Sequence, residues 1–153
     1  MKWKNPPIIK IYEAIGSVAD GRVEALGDTG KVFSSSGNKY YDVSYDPIEK
    51  EIMTNDNGSY WQGYLGYPSI AFLMKSKVLS YSDEVGQLLK GVLWKDLNLK
   101  FKNNREKTIA YVVSSKTDIE KEKIEVLVNK VEAEIKKLGF SMLGKKVFPP
   151  SGY

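Results

Sequence analysis

The sequence predicts an α+β fold: an N-terminal helix, an antiparallel sheet of three or four strands, short helices, a second hairpin and a long C-terminal helix. Two observations favour it. Apolar residues recur with helical spacing near both ends of the chain, and short β-type runs separated by turn formers fill residues 22–57. The 153 residues suit a single domain, with a possible subdivision into 1–79, the helix plus sheet, and 80–153, a basic hairpin plus the long helix.

The first predicted helix begins just after Pro6-Pro7, because proline is tolerated in a first helical turn. Its apolar positions are Ile8, Ile11, Tyr12, Ile15, Val18 and Ala19, which recur at i, i+3, i+4 and i+7. Gly21 is a typical residue for ending such a helix.

The sheet is predicted from four runs: RVEAL, KVFSSS, KYYDVSYD and EKEIMTN. Turn-forming residues separate them, and Ser36-Gly37-Asn38 gives the best hairpin turn. In the third run Tyr41, Val43 and Tyr45 alternate with polar residues, which indicates a strand with one buried face.

Residues 68–139 are predicted to form three helices and a hairpin. Pro68 opens a short apolar helix, and Ser82 is placed to cap another. In LNLKFKNNREKTIAYVV the alternation of Leu97, Leu99 and Phe101 with polar residues indicates a second hairpin. A capping box at Thr117–Glu120 begins the longest helix, which is predicted to end at Gly139.

Composition excludes several classes of site. The chain has no cysteine and no histidine, so it has no disulfides, no thiolate nucleophile and no zinc site built on sulfur or imidazole. No catalytic motif is recognisable, and we expect a non-catalytic protein without a cofactor. No apolar run reaches the roughly 20 residues that span a bilayer, and Lys10 and Glu13 interrupt the apolar N-terminal stretch. We therefore expect a cytoplasmic protein with no membrane partner.

The formal charge of +4 is unevenly distributed, since residues 1–79 are balanced and the whole excess lies in 80–153. Residues 90–107 hold six basic and two acidic side chains. On a hairpin these cations could follow a nucleic-acid backbone, and the candidate phosphate contacts are Lys95, Lys100, Lys102, Arg105 and Lys107. The alternative is a solvated strand that lysines protect from edge pairing. The alternative partner of this binding module is a protein.

The segment Asn55–Pro68 carries the second candidate site, and its content of Asn, Gly and Tyr predicts an irregular loop. Asp56, Tyr60, Trp61 and Tyr64 could bind a small ligand or stack on a base or a sugar. The same loop could also form the site of an enzyme, with Asp56 or Tyr60 as its polar group. The alternative is that these rings cover the end of the sheet. A third hypothesis is a structural subunit that assembles through the C-terminal helix, with the oligomeric state left open.

The layout of residues 8–79 resembles that of a SWIM-type zinc-binding domain. The resemblance rests on a helix ending in DGRVE, the hairpin VFSSSGNKYYDV, then IMTND, and GYPSIAFLM on a helix. That family places Cys-x-Cys after the hairpin and Cys-x-His at the helix start, positions that fall here on Ile52, Thr54, Gly66 and Pro68. All four ligands are absent, so the resemblance implies DNA or protein binding without metal, with apolar packing in place of zinc.

Overall fold

The computed structural model describes residues 1–150, which contain six α-helices, a single-turn π-helix and five β-strands. The helices are α1 Ile8–Ala19, α2 Tyr67–Lys75, α3 Asp83–Leu89, α4 Trp94–Lys100, α5 Arg105–Val113 and α6 Asp118–Leu138, and the π-helix is Gly58–Gln62. The strands are β1 Val23–Leu26, β2 Thr29–Phe33, β3 Tyr40–Asp46, β4 Glu51–Thr54 and β5 Ser141–Met142. This layout confirms the predicted α+β class.

The sheet has the order β1-β2-β3-β4-β5, in which the first four strands are antiparallel. The predicted hairpin at residues 36–38 joins β2 to β3, and Val32 pairs with Tyr41 in its register. Alternate residues of β3 are buried, as the sequence predicts. The short β5 was not predicted, and it adds to β4 in the parallel direction.

The core forms where α2 lies across the sheet and α1 packs on α2, with α3 and α6 against α1. Phe72 of α2 is fully buried and meets the ring of Tyr45 on β3 with a centroid distance of 6.2 Å. Because neighbours surround α1, seven consecutive residues from Ile11 to Ser17 are buried. Glu13 is one of them, so α1 carries a carboxylate into the interior.

The predicted second hairpin is wrong, because residues 94–113 form the two helices α4 and α5. Leu99, expected on a buried strand face, is 67% exposed on α4. Lys102 and Asn103 turn the chain in left-handed conformations, with φ of 51° and 60°. The side chain of Asn104 then accepts a hydrogen bond from the Lys107 backbone N–H and caps α5.

The predicted helix ends are confirmed elsewhere. Ser82 caps α3 by accepting a hydrogen bond from the Val85 N–H. Thr117 and Glu120 form both hydrogen bonds of the capping box of α6, and Gly139 ends that helix in the left-handed conformation. Assembly through α6 stays a prediction. Across residues 1–150, every helix is too short or too polar to cross a bilayer.

Candidate functional site

A cleft of about 240 Å³ opens between α1, the C-terminal end of β2, residues 56–58 and α4. Its floor comes from the buried face of α1 and from the segment that follows β4. Its outer wall is α4, whose Lys95 N–H donates a 3.2 Å hydrogen bond to the Ser35 hydroxyl. The cleft therefore depends on the helix that replaces the predicted hairpin.

A buried ion pair lies at the floor of the cleft. The Lys10 ammonium is 2.9 Å from Glu13 Oε2, and Glu13 is only 4% exposed. The other carboxylate oxygen, Oε1, accepts a 2.9 Å hydrogen bond from Asn98 Nδ2 of α4. Burial opposes the charge on Lys10, but Glu13 and further groups around it outweigh that effect and raise the pKa of Lys10. The ammonium is therefore retained in the interior.

Asp56 is a second buried carboxyl group at the cleft, with 5% exposure. Burial raises its pKa, although hydrogen bonds from Ser59 and the charge of Lys10 act in the opposite direction. Its oxygens accept hydrogen bonds from the Ser59 hydroxyl and, at 3.2 Å, from the N–H of Ser59, which is the second residue of the π-helix. A side chain on Gly66 would collide with this carboxyl group and would have to displace it.

The walls of the cleft carry hydroxyl groups and further cations. Tyr41 and Tyr67 meet edge to face with ring centroids 6.2 Å apart, and Ser34 lies at the end of β2. Arg22 is fixed by Asp20 at 3.1 Å and donates a 2.7 Å hydrogen bond to the Phe33 carbonyl. Both signs of charge thus line one small space.

The cleft continues outward into a second hollow of about 450 Å³. The residues common to both are Lys10, Asn57, Gly58, Asn98 and Asn103. The outer hollow adds Trp61, Tyr64 and Arg105. Asn57 is exposed and therefore stands at the boundary between the inner and outer spaces.

The predicted loop residues are divided between different surroundings. Asp56 lines the inner cleft, and Tyr64 and Trp61 line the outer hollow. Tyr60 instead packs with Trp61 and Phe148, with ring centroids 4.7 and 5.1 Å from its own. The segment is not the irregular loop expected from its composition, because residues 58–62 form a π-helical turn.

The five predicted phosphate contacts do not lie on one strand face. Lys95 and Lys100 are five positions apart on α4, which places them about 140° apart around the helix axis. Lys100 stands over the Phe101 and Tyr111 rings at 5.4 and 4.7 Å from their centroids. Lys102 is exposed in the turn and Lys107 on the first turn of α5, whereas Arg105 lines the outer hollow. Nucleic-acid contact through this set stays a prediction.

The sequence did not indicate the ion pair as part of a site. Lys10 and Glu13 are the charged residues of an otherwise apolar or small-residue helix, IIKIYEAIGSVA, and this feature could have identified them. A helix that is apolar on most faces is normally buried, so charges within it need partners. The partner Asn98 is 85 positions away and could not be assigned from spacing.

The positions of the SWIM-like resemblance lie on β4 and at the start of α2. Ile52 and Thr54 are buried on β4, and Thr54 shares a 2.6 Å hydrogen bond with Ser69 of α2. No cluster of three or more His, Cys, Asp or Glu residues within 1–150 could hold a metal ion. The resemblance itself stays a prediction.

Comparison with known proteins gives one match. No curated protein and no solved structure has significant similarity to the chain. A family model described as "Uncharacterised conserved protein UCP014422" matches residues 3–141, which include all of α1 to α6 and both sides of the cleft. The chain therefore belongs to this family.

Proposed function

We propose that the protein binds a small polar molecule in the cleft. The observation that carries this proposal is the meeting of Lys10, Glu13 and Asp56, all largely removed from solvent, around open space of about 240 Å³. Removing charged groups from water is costly, and apolar packing would fill such a space more cheaply. Ionisable groups with perturbed pKa values in a cleft are typical of functional sites.

The lining favours a ligand with both hydrogen-bond donors and acceptors. Two carboxyl groups face three cations, Lys10, Arg22 and Lys95, so a bare anion would meet carboxylates and a bare cation would meet ammonium groups. Serine and tyrosine hydroxyls and asparagine amides complete the lining. The volume of about 240 Å³ lies below the roughly 300–1,000 Å³ of pockets that hold drug-sized ligands, so the site suits a smaller molecule. A neutral or zwitterionic compound the size of an amino acid or a small polyol suits this site.

The test is a thermal-shift titration with a panel of free amino acids, monosaccharides and polyols, and with inorganic phosphate and citrate as anionic comparators. A compound at about 100 times its Kd should add about 2.7 kcal/mol of stability. For a chain of this size that corresponds to an increase in Tm of about 5–10 °C.

Blocking the cleft provides the matched control. Asn57→Trp should fill the boundary of the cleft and abolish the shift, because Asn57 lines both hollows. Asn129→Trp introduces the same ring on the exposed side of α6 and should leave the shift unchanged. The proposal fails if only phosphate or citrate binds, if no neutral or zwitterionic compound binds, or if Asn57→Trp binds like the unmodified protein.

A further inference from the structure

Exposed aromatic rings and lysines meet on a surface beside the outer hollow. We name this the aromatic–lysine patch and define it by Tyr60, Trp61, Phe148, Lys4 and Lys146. Trp61 is 62% exposed and Phe148 is 64% exposed, whereas the other tryptophans of the chain are 8% and 3% exposed. Large rings normally contribute most when they are buried, so two exposed rings in contact indicate a binding surface.

The three rings pack edge to face, and Trp61 and Phe148 remain more than half exposed in this arrangement. The Trp61 and Phe148 centroids are 6.0 Å apart with an angle of 77° between the planes, and Tyr60 meets Phe148 at 70°. Phe148 comes from the segment after β5 and Trp61 from the π-helix, so two distant parts of the chain supply the patch. Their contact holds the rings in place before any ligand arrives.

Two lysines approach each other beside Gly63, which directly follows the π-helix. Lys4 Cε and Lys146 Nζ lie 3.9 and 3.7 Å from the position that a Cβ on Gly63 would take. Lys146 Nζ also donates a 3.2 Å hydrogen bond to the Tyr60 carbonyl, which places its ammonium beside the aromatic cluster. The salt bridges within residues 1–150 include neither lysine. Like charges held near one another repel, and an anion placed between them relieves the repulsion.

We propose that the aromatic–lysine patch binds single-stranded nucleic acid. Bases stack on the open faces of Trp61 and Phe148, and Lys4 and Lys146 neutralise phosphates. Stacking platforms combined with cations that follow the backbone are the usual means of binding single strands. Unpaired strands fit better than a duplex, whose bases are already stacked. They also fit better than a bilayer, since membrane-surface binding relies on the long apolar face of an amphipathic helix, and the patch offers three rings. The patch adjoins the outer hollow through Trp61, and it includes none of the cations of residues 95–107.

Fluorescence anisotropy with a labelled oligothymidylate of about 12 nucleotides tests the proposal on the full chain. With two phosphates neutralised, the Kd should rise about sevenfold between about 50 and about 200 mM salt. Trp61→Ala should raise the Kd about fivefold or more. The double variant Lys4→Gln, Lys146→Gln should weaken binding and remove most of the salt dependence. The control Leu26→Ala, at a residue that is 82% exposed on β1, should leave the Kd unchanged.

Intrinsic tryptophan fluorescence is a second measurement. Attraction between surface charges and the oligonucleotide, without stacking, would not change it. The oligonucleotide should quench the exposed Trp61, and Trp61→Phe should retain binding with the quenching largely lost. A duplex of equal length should bind more weakly. The proposal is overturned if single strands do not bind, if duplex binds equally well, or if Trp61→Ala binds normally. Binding to vesicles of phosphatidylserine and phosphatidylcholine without oligonucleotide binding would identify a membrane surface instead, and would equally overturn it.

Discussion

Replacing Lys10 by methionine tests the buried ion pair at the floor of the cleft. Methionine retains most of the side-chain length but removes the ammonium that lies 2.9 Å from Glu13 Oε2. The Glu13 carboxylate then stays in the interior, at 4% exposure, with the Asn98 amide to compensate its charge. Asp56, whose charged form Lys10 also favours, loses the same cation.

The expected loss of stability is large, although part of the Lys10 side chain is in contact with water. Removing one partner of a buried pair costs about 3–5 kcal/mol, because the other charge is left uncompensated. The Lys10 side chain keeps 20% of its exposure, so water reaches part of the site, and we expect the lower end, about 3 kcal/mol. This corresponds to a decrease in Tm of about 6–12 °C.

Urea unfolding followed by tryptophan fluorescence measures this loss. The double variant Lys10→Met, Glu13→Gln removes both charges and keeps an acceptor for Asn98, so it should be more stable than Lys10→Met alone. The control is Lys123→Met, which breaks the shorter but exposed 2.6 Å pair with Glu84 and should hardly move the urea midpoint. Equal effects of Lys10→Met and Lys123→Met, or strictly additive effects in the double variant, would refute the reasoning.

Three further changes test the packing and the charges. Gly16→Ala should destabilise by about 1–3 kcal/mol in urea unfolding, although alanine favours helices, because its Cβ would lie 2.9 Å from Trp94 Nε1. Burial raises the pKa of Asp56, so the unfolded chain releases this proton at a lower pH than the folded protein does. The free energy of unfolding should therefore fall as pH rises from about 3.8 through the pKa of the folded state. Asp56→Asn should remove this part of the pH profile measured by urea titrations. Thr117→Ala should cost about 1 kcal/mol by melting temperature, whereas Ser115→Ala outside the capping box should cost little.

Local chemistry explains which elements the sequence predicted correctly. The helix caps at Ser82 and Thr117 act over three residues, and the hairpin at residues 36–38 depends on its own turn, so no distant contact is needed to find them. The alternation of Tyr41, Val43 and Tyr45 with polar residues predicted a strand correctly, because one face of β3 is buried and the other is exposed. Short-range patterns of this kind identified most of the architecture.

The wrong hairpin shows where a short pattern is ambiguous. Leu97, Leu99 and Phe101 alternate with polar residues over five positions, too few to distinguish period 2 from the helical period. Leu97 also follows Leu93 at i+4, and the Asn104 cap precedes a first turn of α5 that contains the acidic Glu106. β-Branched residues such as Val112 favour strands. Here the Asn104 cap and the burial of Val112 in the core stabilise a helix instead.

The cleft depends on contacts that no local pattern contains. Its polar floor is held by Asn98 of α4, and α4 is anchored at the end of β2 through the Lys95 N–H and the Ser35 hydroxyl. A charged pair inside a mostly apolar helix constrains its surroundings, since an apolar neighbour packed directly on Glu13 would leave its carboxylate without compensation. On the side of the cleft, α1 meets the Asn98 amide of α4, whereas α2, α3 and α6 pack on its other sides with apolar side chains. The charged pair of α1 therefore borders polar space, and this is the space in which we propose that a small polar ligand binds.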